Sequence, residues 1–214
     1  MKTKLLSTLA ALALGATGAA ADPWNGAYVG GNAGVAFLEG DFDLAVGAVD
    51  TTFNSDTGFT FGGQAGYNFQ HGDFVFGVEG DFNYLDVEKS DGPPGATTGF
   101  FEFDSDWFAT IRGRAGMLMD GTLFYGTGGI ALLDSDLFVQ SIVAAAPGPS
   151  ASDSDVLFGF VIGGGVEHEF SPDWTAKVEY LYMNFESHSV TAGTVTARAE
   201  PELHVIRVGI NWHF

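Results

Sequence analysis

The stretch Leu203-His204-Val205-Ile206-Arg207-Val208-Gly209-Ile210-Asn211-Trp212-His213-Phe214 decides the fold. Ile206, Val208, Ile210, Trp212 and Phe214 recur at every second position, against Arg207, Asn211 and His213 between them. A helix would scatter those residues around its circumference, whereas a strand sorts them onto two opposite faces. One face of this strand meets an apolar neighbour and the other a polar one.

The same alternation returns along the chain. Ala27 to Phe37 sets Ala27, Val29, Ala33, Val35 and Phe37 against Tyr28, Gly30, Asn32 and Gly34. Gly58 to Gln70 sets Phe59, Phe61, Ala65, Tyr67 and Phe69 against Thr60, Gln64, Asn68 and Gln70. Phe74 to Tyr84 sets Phe74, Phe76, Val78, Phe82 and Tyr84 against Glu79, Asp81 and Asn83. Trp107 to Leu118 sets Trp107, Ala109, Ile111, Ala115 and Met117 against Thr110, Arg112 and Arg114. Residues 122–132, 156–170 and 174–183 read as three further strands, the faces of 122–132 staying open between Leu123, Tyr125, Ala131 and Phe124, Ile130, Leu132.

Eight strands result, with short and long connections in strict alternation. Gln70-His71-Gly72-Asp73, Met119-Asp120-Gly121 and Ser171-Pro172-Asp173 carry tight-turn residues. Segments 38–57, 85–106, 133–155 and 184–202 read as long loops. Tight turns on one side and large loops on the other are the pattern of an antiparallel transmembrane up-and-down β-barrel, all-β, whose strands need about 9–11 residues to cross. A water-soluble eight-stranded barrel of the lipocalin kind is the alternative, with apolar side chains inside and charges outside.

Charge placement separates the two. The polar faces carry Glu79, Asp81, Arg112, Arg114, Glu167, Glu169, Lys177, Glu179 and Arg207, and the apolar faces carry no charged residue. In a narrow lumen those cations and anions neutralise one another, and eight strands leave a lumen just wide enough for side chains to fill. The reading is a plugged interior, with Trp107, Trp174, Tyr180, Tyr182 and Trp212 in interfacial girdles.

Composition agrees. The chain of 214 residues has 31 Gly and 20 Phe but only 16% charged residues, and 27 acidic residues oppose 8 basic ones. A net charge of −19 disfavours nucleic acid, which repels an acidic surface. The absence of Cys excludes disulfides and thiolate chemistry. Lys2, Lys4, the apolar run Leu5 to Leu14 and the small residues Ala19-Ala20-Ala21 form an export signal, with cleavage expected after Ala21. Residues 1–21 are then a signal peptide and 22–214 one barrel domain, which leaves 193 residues and, without the two lysines, a net charge of −21.

The stretches Trp24-Asn25-Gly26-Ala27-Tyr28-Val29-Gly30-Gly31-Asn32-Ala33-Gly34, Gly66-Tyr67-Asn68-Phe69-Gln70 and Phe74-Val75-Phe76-Gly77-Val78-Glu79-Gly80-Asp81 resemble the small outer-membrane β-barrel surface proteins of α-proteobacteria. Gly163-Gly164-Gly165-Val166-Glu167, Lys177-Val178-Glu179-Tyr180-Leu181-Tyr182 and the closing strand extend the resemblance over the mature chain. It implies an OmpA- or OmpX-like eight-stranded barrel in the bacterial outer membrane, of the porin-like opacity or surface-antigen type. Ile210, Trp212 and Phe214 resemble the terminal signal read by the barrel-assembly machinery. Nothing follows Phe214, so no peptidoglycan-binding extension is expected.

Sites are sought in the long segments, where 18 of the acidic residues face only Lys89 and Arg198. Asp41/Asp43, Asp104/Asp106, Asp134/Asp136 and Asp153/Asp155 each place two carboxylates on one side of an extended chain. The last two pairs flank one hairpin and are expected to approach each other, which would splay the strands or draw in loosely bound Ca²⁺ or Mg²⁺. No dedicated cofactor is expected. No enzyme is expected either: His168, Glu167 and Ser171, or His188, Ser187 and Glu186, supply triad residue types, but neighbours in a strand point apart. His71, His188, His204 and His213 raise haemin binding without forming a ligand pair. Pro147-Gly148-Pro149-Ser150 reads as a loop tip. The expected function is a non-catalytic surface protein contributing to envelope integrity, in contact with outer-membrane lipid and lipopolysaccharide. A small cation-preferring porin and an adhesin or haemin-binding surface protein are the alternatives.

Overall fold

The computed structural model describes residues 23–45, 56–91, 99–143, 146–192 and 195–214. The expected signal peptide, residues 1–21, lies outside them. Among the described residues the chain is all strand: β1 (Gly26–Ala45), β2 (Asp56–His71), β3 (Phe74–Asp91), β4 (Gly99–Met119), β5 (Thr122–Val143), β6 (Ala146–Ser171), β7 (Trp174–Phe185), β8 (His188–Ala192) and β9 (Val195–His213). Each pairs antiparallel with its neighbour, and β1 pairs with β9, which closes the sheet. Both β7 and β8 pair with β9, in registers one residue apart. They form one stave with an interruption at Glu186–Ser187, opposite Pro201, whose missing N–H suits a break in the ladder. The barrel therefore has eight staves.

Its dimensions follow from the register. Stepping from Tyr28 through Gly66, Glu79, Arg112, Gly129, Val161, Met183 and Leu203 returns to β1 at Leu38. The ten residues between Tyr28 and Leu38 are the shear. Eight strands about 4.8 Å apart with that shear tilt by about 40° and enclose a radius of about 8 Å to the backbone.

The turns show why the sequence closes this way. Asp120 and Gly121 both have positive φ (49° and 71°), as a two-residue type I′ hairpin requires. Gly72 (φ 63°) leads the turn between β2 and β3. Pro172 cannot take a positive φ, and the turn it opens is accompanied by a register shift between Glu169 and Ser171.

The outer wall is apolar. On β3, Phe74, Phe76, Val78, Phe82 and Tyr84 are exposed while Val75, Glu79, Asp81, Asn83 and Leu85 are buried. Phe59 is 73% and Ile111 66% exposed, the reverse of what water would select, so the water-soluble barrel is excluded. From Phe74 to Tyr84 the band is about 25 Å tall at this tilt, the height of a membrane's apolar girdle. On β5 it is Leu123, Tyr125 and Ala131 that face inward and Phe124 and Ile130 outward.

Two expectations change. The seven uninterrupted staves run 16 to 26 residues, well beyond the length needed to cross. The segments expected as long loops are largely strand: β1 continues to Ala45, β3 to Asp91, β5 to Val143, and β4, β6 and β9 begin at Gly99, Ala146 and Val195. Apolar alternation fades in those segments, but backbone pairing does not need it. Within the described residues the arms are largely paired strand.

Candidate functional site: the filled lumen

The inward faces build three layers. Nearest the tight turns, Trp24, Val75, Leu123 and Tyr125 form an apolar floor, with Leu118 packed against it. Above it lies a layer of charge. Above that, Leu38, Leu85, Phe108, Leu133, Leu181, Met183, Phe185 and Leu203 form the larger apolar cluster. Val190 of β8 belongs to this cluster, so the β8–β9 hairpin leans over the mouth and adds to its cover.

The charged layer is made by residues two apart on three staves, Glu79/Asp81, Arg112/Arg114 and Lys177/Glu179, joined by Glu167 of β6 and Arg207 of β9. Register puts Glu79 opposite Arg112, Glu179 opposite Arg207 and Glu167 opposite Lys177. All eight are buried, four carboxylates against four cations, so the layer is neutral in sum. Arg112 is the hub. Its guanidinium donates to Glu79, to Asp81 at 2.9 Å and to Glu179 at 3.0 Å. Arg207 donates to Glu179 at 2.6 Å and to Asp81 at 3.3 Å. Lys177 reaches past its register partner to Glu79 on the far wall, at 2.8 Å. Arg114 donates to Glu167 and stacks on Tyr125, its Cζ 4.3 Å from the ring centre.

Neutral donors complete the layer. Tyr28 Oη donates to Glu79 at 2.7 Å, Tyr125 Oη to Glu179 at 2.9 Å, Thr110 Oγ1 to Asp81 at 2.6 Å and Asn211 Nδ2 to Glu167 at 2.7 Å. Each buried carboxylate thus has at least three donors, the condition under which charge is tolerated away from water. Glycine makes room: a Cβ on Gly129 would lie 2.0 Å from the Ile111 carbonyl and 2.7 Å from Arg112 Cα, and one on Gly66 would lie 2.4 Å from the Tyr28 hydroxyl.

Glu169, grouped by sequence with these residues, lies at the turn end of β6, only half-buried, with Thr175 as its register neighbour. The polar residues missed as members are Tyr28, Thr110, Tyr125, Thr175 and Asn211. Their signal was present, because each falls on the inward phase of its strand.

The aspartate pairs do not meet. Asp134 pairs with Val156 and Asp136 with Ser154, while Asp155 faces Ser135 and Asp153 faces Leu137. Ser135 is fully buried and points inward, so Asp134 and Asp136 stand on the outer face and Asp153 and Asp155 on the other. The cause is a register shift between Gln140 and Ile142. At the tip Ile142 pairs with Pro147 and Val143 with Ala146; that register, continued downward, would oppose Asp136 to Asp153 and Asp134 to Asp155. The extra residue enters at Pro147-Gly148-Pro149-Ser150, which is part of β6 and not a loop tip. The register shift sets the two pairs on opposite faces of the hairpin. Among the described residues no three His, Asp or Glu side chains converge as metal ligands.

On the outer face, burial and the Asp136 and Asp106 charges hold the Asp134 carboxyl above the usual carboxylate range. The pairs Asp41/Asp43 and Asp104/Asp106 fall in β1 and β4. The histidines are dispersed. His213 is buried against Tyr28, with ring centres 5.2 Å apart, and His204 stands on the opposite face of β9, hydrogen-bonded to Tyr180 Oη at 2.7 Å. His71 ends β2 and His188 begins β8. His168 points outward, away from buried Glu167. Ile210 and Trp212 project into the apolar girdle, and the Phe214 ring centre lies 5.2 Å from that of Trp212.

An apolar girdle outside and a charge-paired lumen inside define a membrane-spanning β-barrel. The chain belongs to the outer membrane protein beta-barrel domain family, whose model matches residues 6–214, and it resides in the outer membrane. It is 31% identical over 147 residues to the 31 kDa outer-membrane immunogenic protein of Brucella melitensis biotype 1, and 30% identical over 140 residues to the 22 kDa outer membrane protein of Rhizobium leguminosarum bv. viciae. Each match covers 65% of this chain and 59% of the relative, so the chain spans well under two thirds of those curated relatives. The crystal structure of Neisserial surface protein A superposes with a TM-score of 0.50 at 15% identity, over 89% of this chain and 98% of that one, a likeness of fold.

Proposed function

We propose that the protein is a non-catalytic surface protein whose barrel is a closed anchor in the outer membrane and whose hairpin arms display an acidic surface. The observation that carries this reading is the filled lumen: a neutral layer of ion-paired charges between two apolar layers. A pore that passes cations needs a wet path with sites weak enough to release them, and strongly paired guanidinium and carboxylate groups offer none. Absence of catalysis is supported by the dispersion of the histidines. Over the Asp106, Asp134 and Asp136 face, Ca²⁺ or Mg²⁺ gathers diffusely and links the surface to lipopolysaccharide phosphates. Ile210, Trp212 and Phe214 serve the assembly machinery as the terminal strand signal.

The test is conductance of the refolded, heat-modifiable barrel in planar bilayers. A folded band on an unheated gel with electrically silent bilayers is the expected result. Steady cation-selective openings would replace this reading with the porin one.

A further inference from the structure

The outer wall carries a groove that the filled lumen does not explain. It has a volume of about 1240 Å³ and runs across β7, β9 and β1 inside the apolar girdle. His168, Trp174 and Trp212 line one end, and Gly31, Ala33 and Phe61 the other. Register gives its direction: His168 neighbours Ala176, Ala176 neighbours Ile210, and Ile210 neighbours Gly31. Three strand spacings in a barrel tilted about 40° climb about 9 Å from His168 to Gly31. The groove thus starts at the level of the tight turns and rises obliquely through most of one leaflet, about half of a 30 Å apolar core.

Its ends differ in chemistry. The inner end is lined by short and aromatic side chains. At the turn end the Thr122 hydroxyl lies 2.9 Å from His168 Nδ1. With that hydroxyl donating to Nδ1, the proton of the neutral ring sits on Nε2, which becomes a donor on this exposed side chain. Trp174 and Trp212 pair directly across β7 and β9 and supply indole N–H groups at the same level. The neighbouring turns are acidic: Asp120 precedes Gly121, whose carbonyl accepts from Glu169 N at 3.0 Å beside His168, and Asp173 precedes Trp174.

We propose that this groove holds one zwitterionic glycerophospholipid of the periplasmic leaflet, with its phosphate at His168 Nε2, its ammonium toward Asp120 and Asp173, and an acyl chain along Ala176 and Gly31. The girdle is already a lipid interface, and the groove is a recess within it whose outward-facing polar side chains, His168, Trp174 and Trp212, stand at headgroup level, while Asn32 and Lys177, which also line it, are buried on the lumen side. A second copy of the barrel would present a convex apolar wall and leave His168 facing hydrocarbon. An anionic headgroup would meet the turn aspartates as like charges.

The experiment is native mass spectrometry of the folded barrel released from bilayers of equal phosphatidylethanolamine and phosphatidylglycerol. One retained phosphatidylethanolamine is expected, preferred about tenfold over phosphatidylglycerol. Gly31→Phe with Ala176→Phe should abolish retention. Both changes point outward, and a Cβ on Gly31 meets nothing nearer than the Gly62 carbonyl at 3.7 Å. Gly113→Phe, outward on β4 with 3.9 Å to its nearest atom, should retain the lipid. His168→Leu should keep a bound lipid and lose the headgroup preference, and it decides the matter alone if the double variant fails to show the folded band. Unchanged retention in the filled groove, equal retention of the two lipids by the wild type, or Ala176→Cys cross-linking into dimers in the same bilayers would each overturn the proposal.

Discussion

The charged and apolar layers of the lumen occupy the same staves a few residues apart, and they hold the barrel by different physics. On β7, Lys177 and Glu179 are followed on the same inward face by Leu181, Met183 and Phe185. On β9, Leu203 and Val205 precede Arg207. The apolar layer gains from packing, which is tolerant of exchange among side chains of similar volume. The charged layer balances a large desolvation cost against attraction that depends on geometry. Its gain is specificity of register. Sliding one stave by a single residue would turn Arg112, Glu79 or Glu179 toward lipid, whereas a slip of two within the apolar layer exchanges one aliphatic group for another. The charges specify the register and the apolar residues fill the space.

The sharpest way to break that contrast is to remove the hub. Arg112→Leu leaves Glu79, Asp81 and Glu179 each short of a donor. The expected cost is about 5 kcal/mol, the upper end for breaking a buried ion pair. Urea titration of the folded band measures it, and planar bilayers should register a leak in whatever fraction remains folded. A variant as stable and as silent as the wild type would mean that the layer does not hold the barrel.

Phe108→Ala tests the other layer. Phe108 is fully buried in the upper cluster, and its truncation should cost about 3–4 kcal/mol through lost burial and the cavity left behind. Conductance should stay at baseline, because the charged layer below still closes the lumen. Should Phe108→Ala leak while Arg112→Leu does not, the apolar layer would be the seal and the assignment of roles would reverse.

The two layers also explain what could be read from sequence. Alternation identified all eight staves where the two faces differ, as in Phe82 against Asp81 or Ile206 against Arg207. It failed on the upper half. Asp134, Ser135 and Asp136 are polar on both faces, so the strand signal vanishes while the strand continues. Membership of the charged layer was legible from phase. Partnership was not: Glu167 is held by Arg114, and Lys177 by Glu79 across the lumen, and only closure of the barrel brings those residues together. The aspartate rows show the same limit in one hairpin, since an extra residue at Gly148-Pro149 decides whether they face or miss each other.

That bulge leaves a residual repulsion on the outer face, which gives the smallest and most specific prediction. Asp134 is held above the usual carboxylate range by burial and then by Asp136 and Asp106, so its ionisation opposes the folded state. A carboxyl whose folded value is raised favours folding most when protonated. That advantage is complete below the unfolded value of about 4 and is lost as pH rises through the raised one. Asp134→Asn should therefore match the wild type near pH 3 and exceed it at pH 7 by a few tenths of a kcal/mol, the scale of a largely solvated charge. Urea midpoints of the two proteins at both pH values measure the difference. A gap that narrows as pH rises would mean that the three aspartates are held apart more completely than the bulge alone achieves.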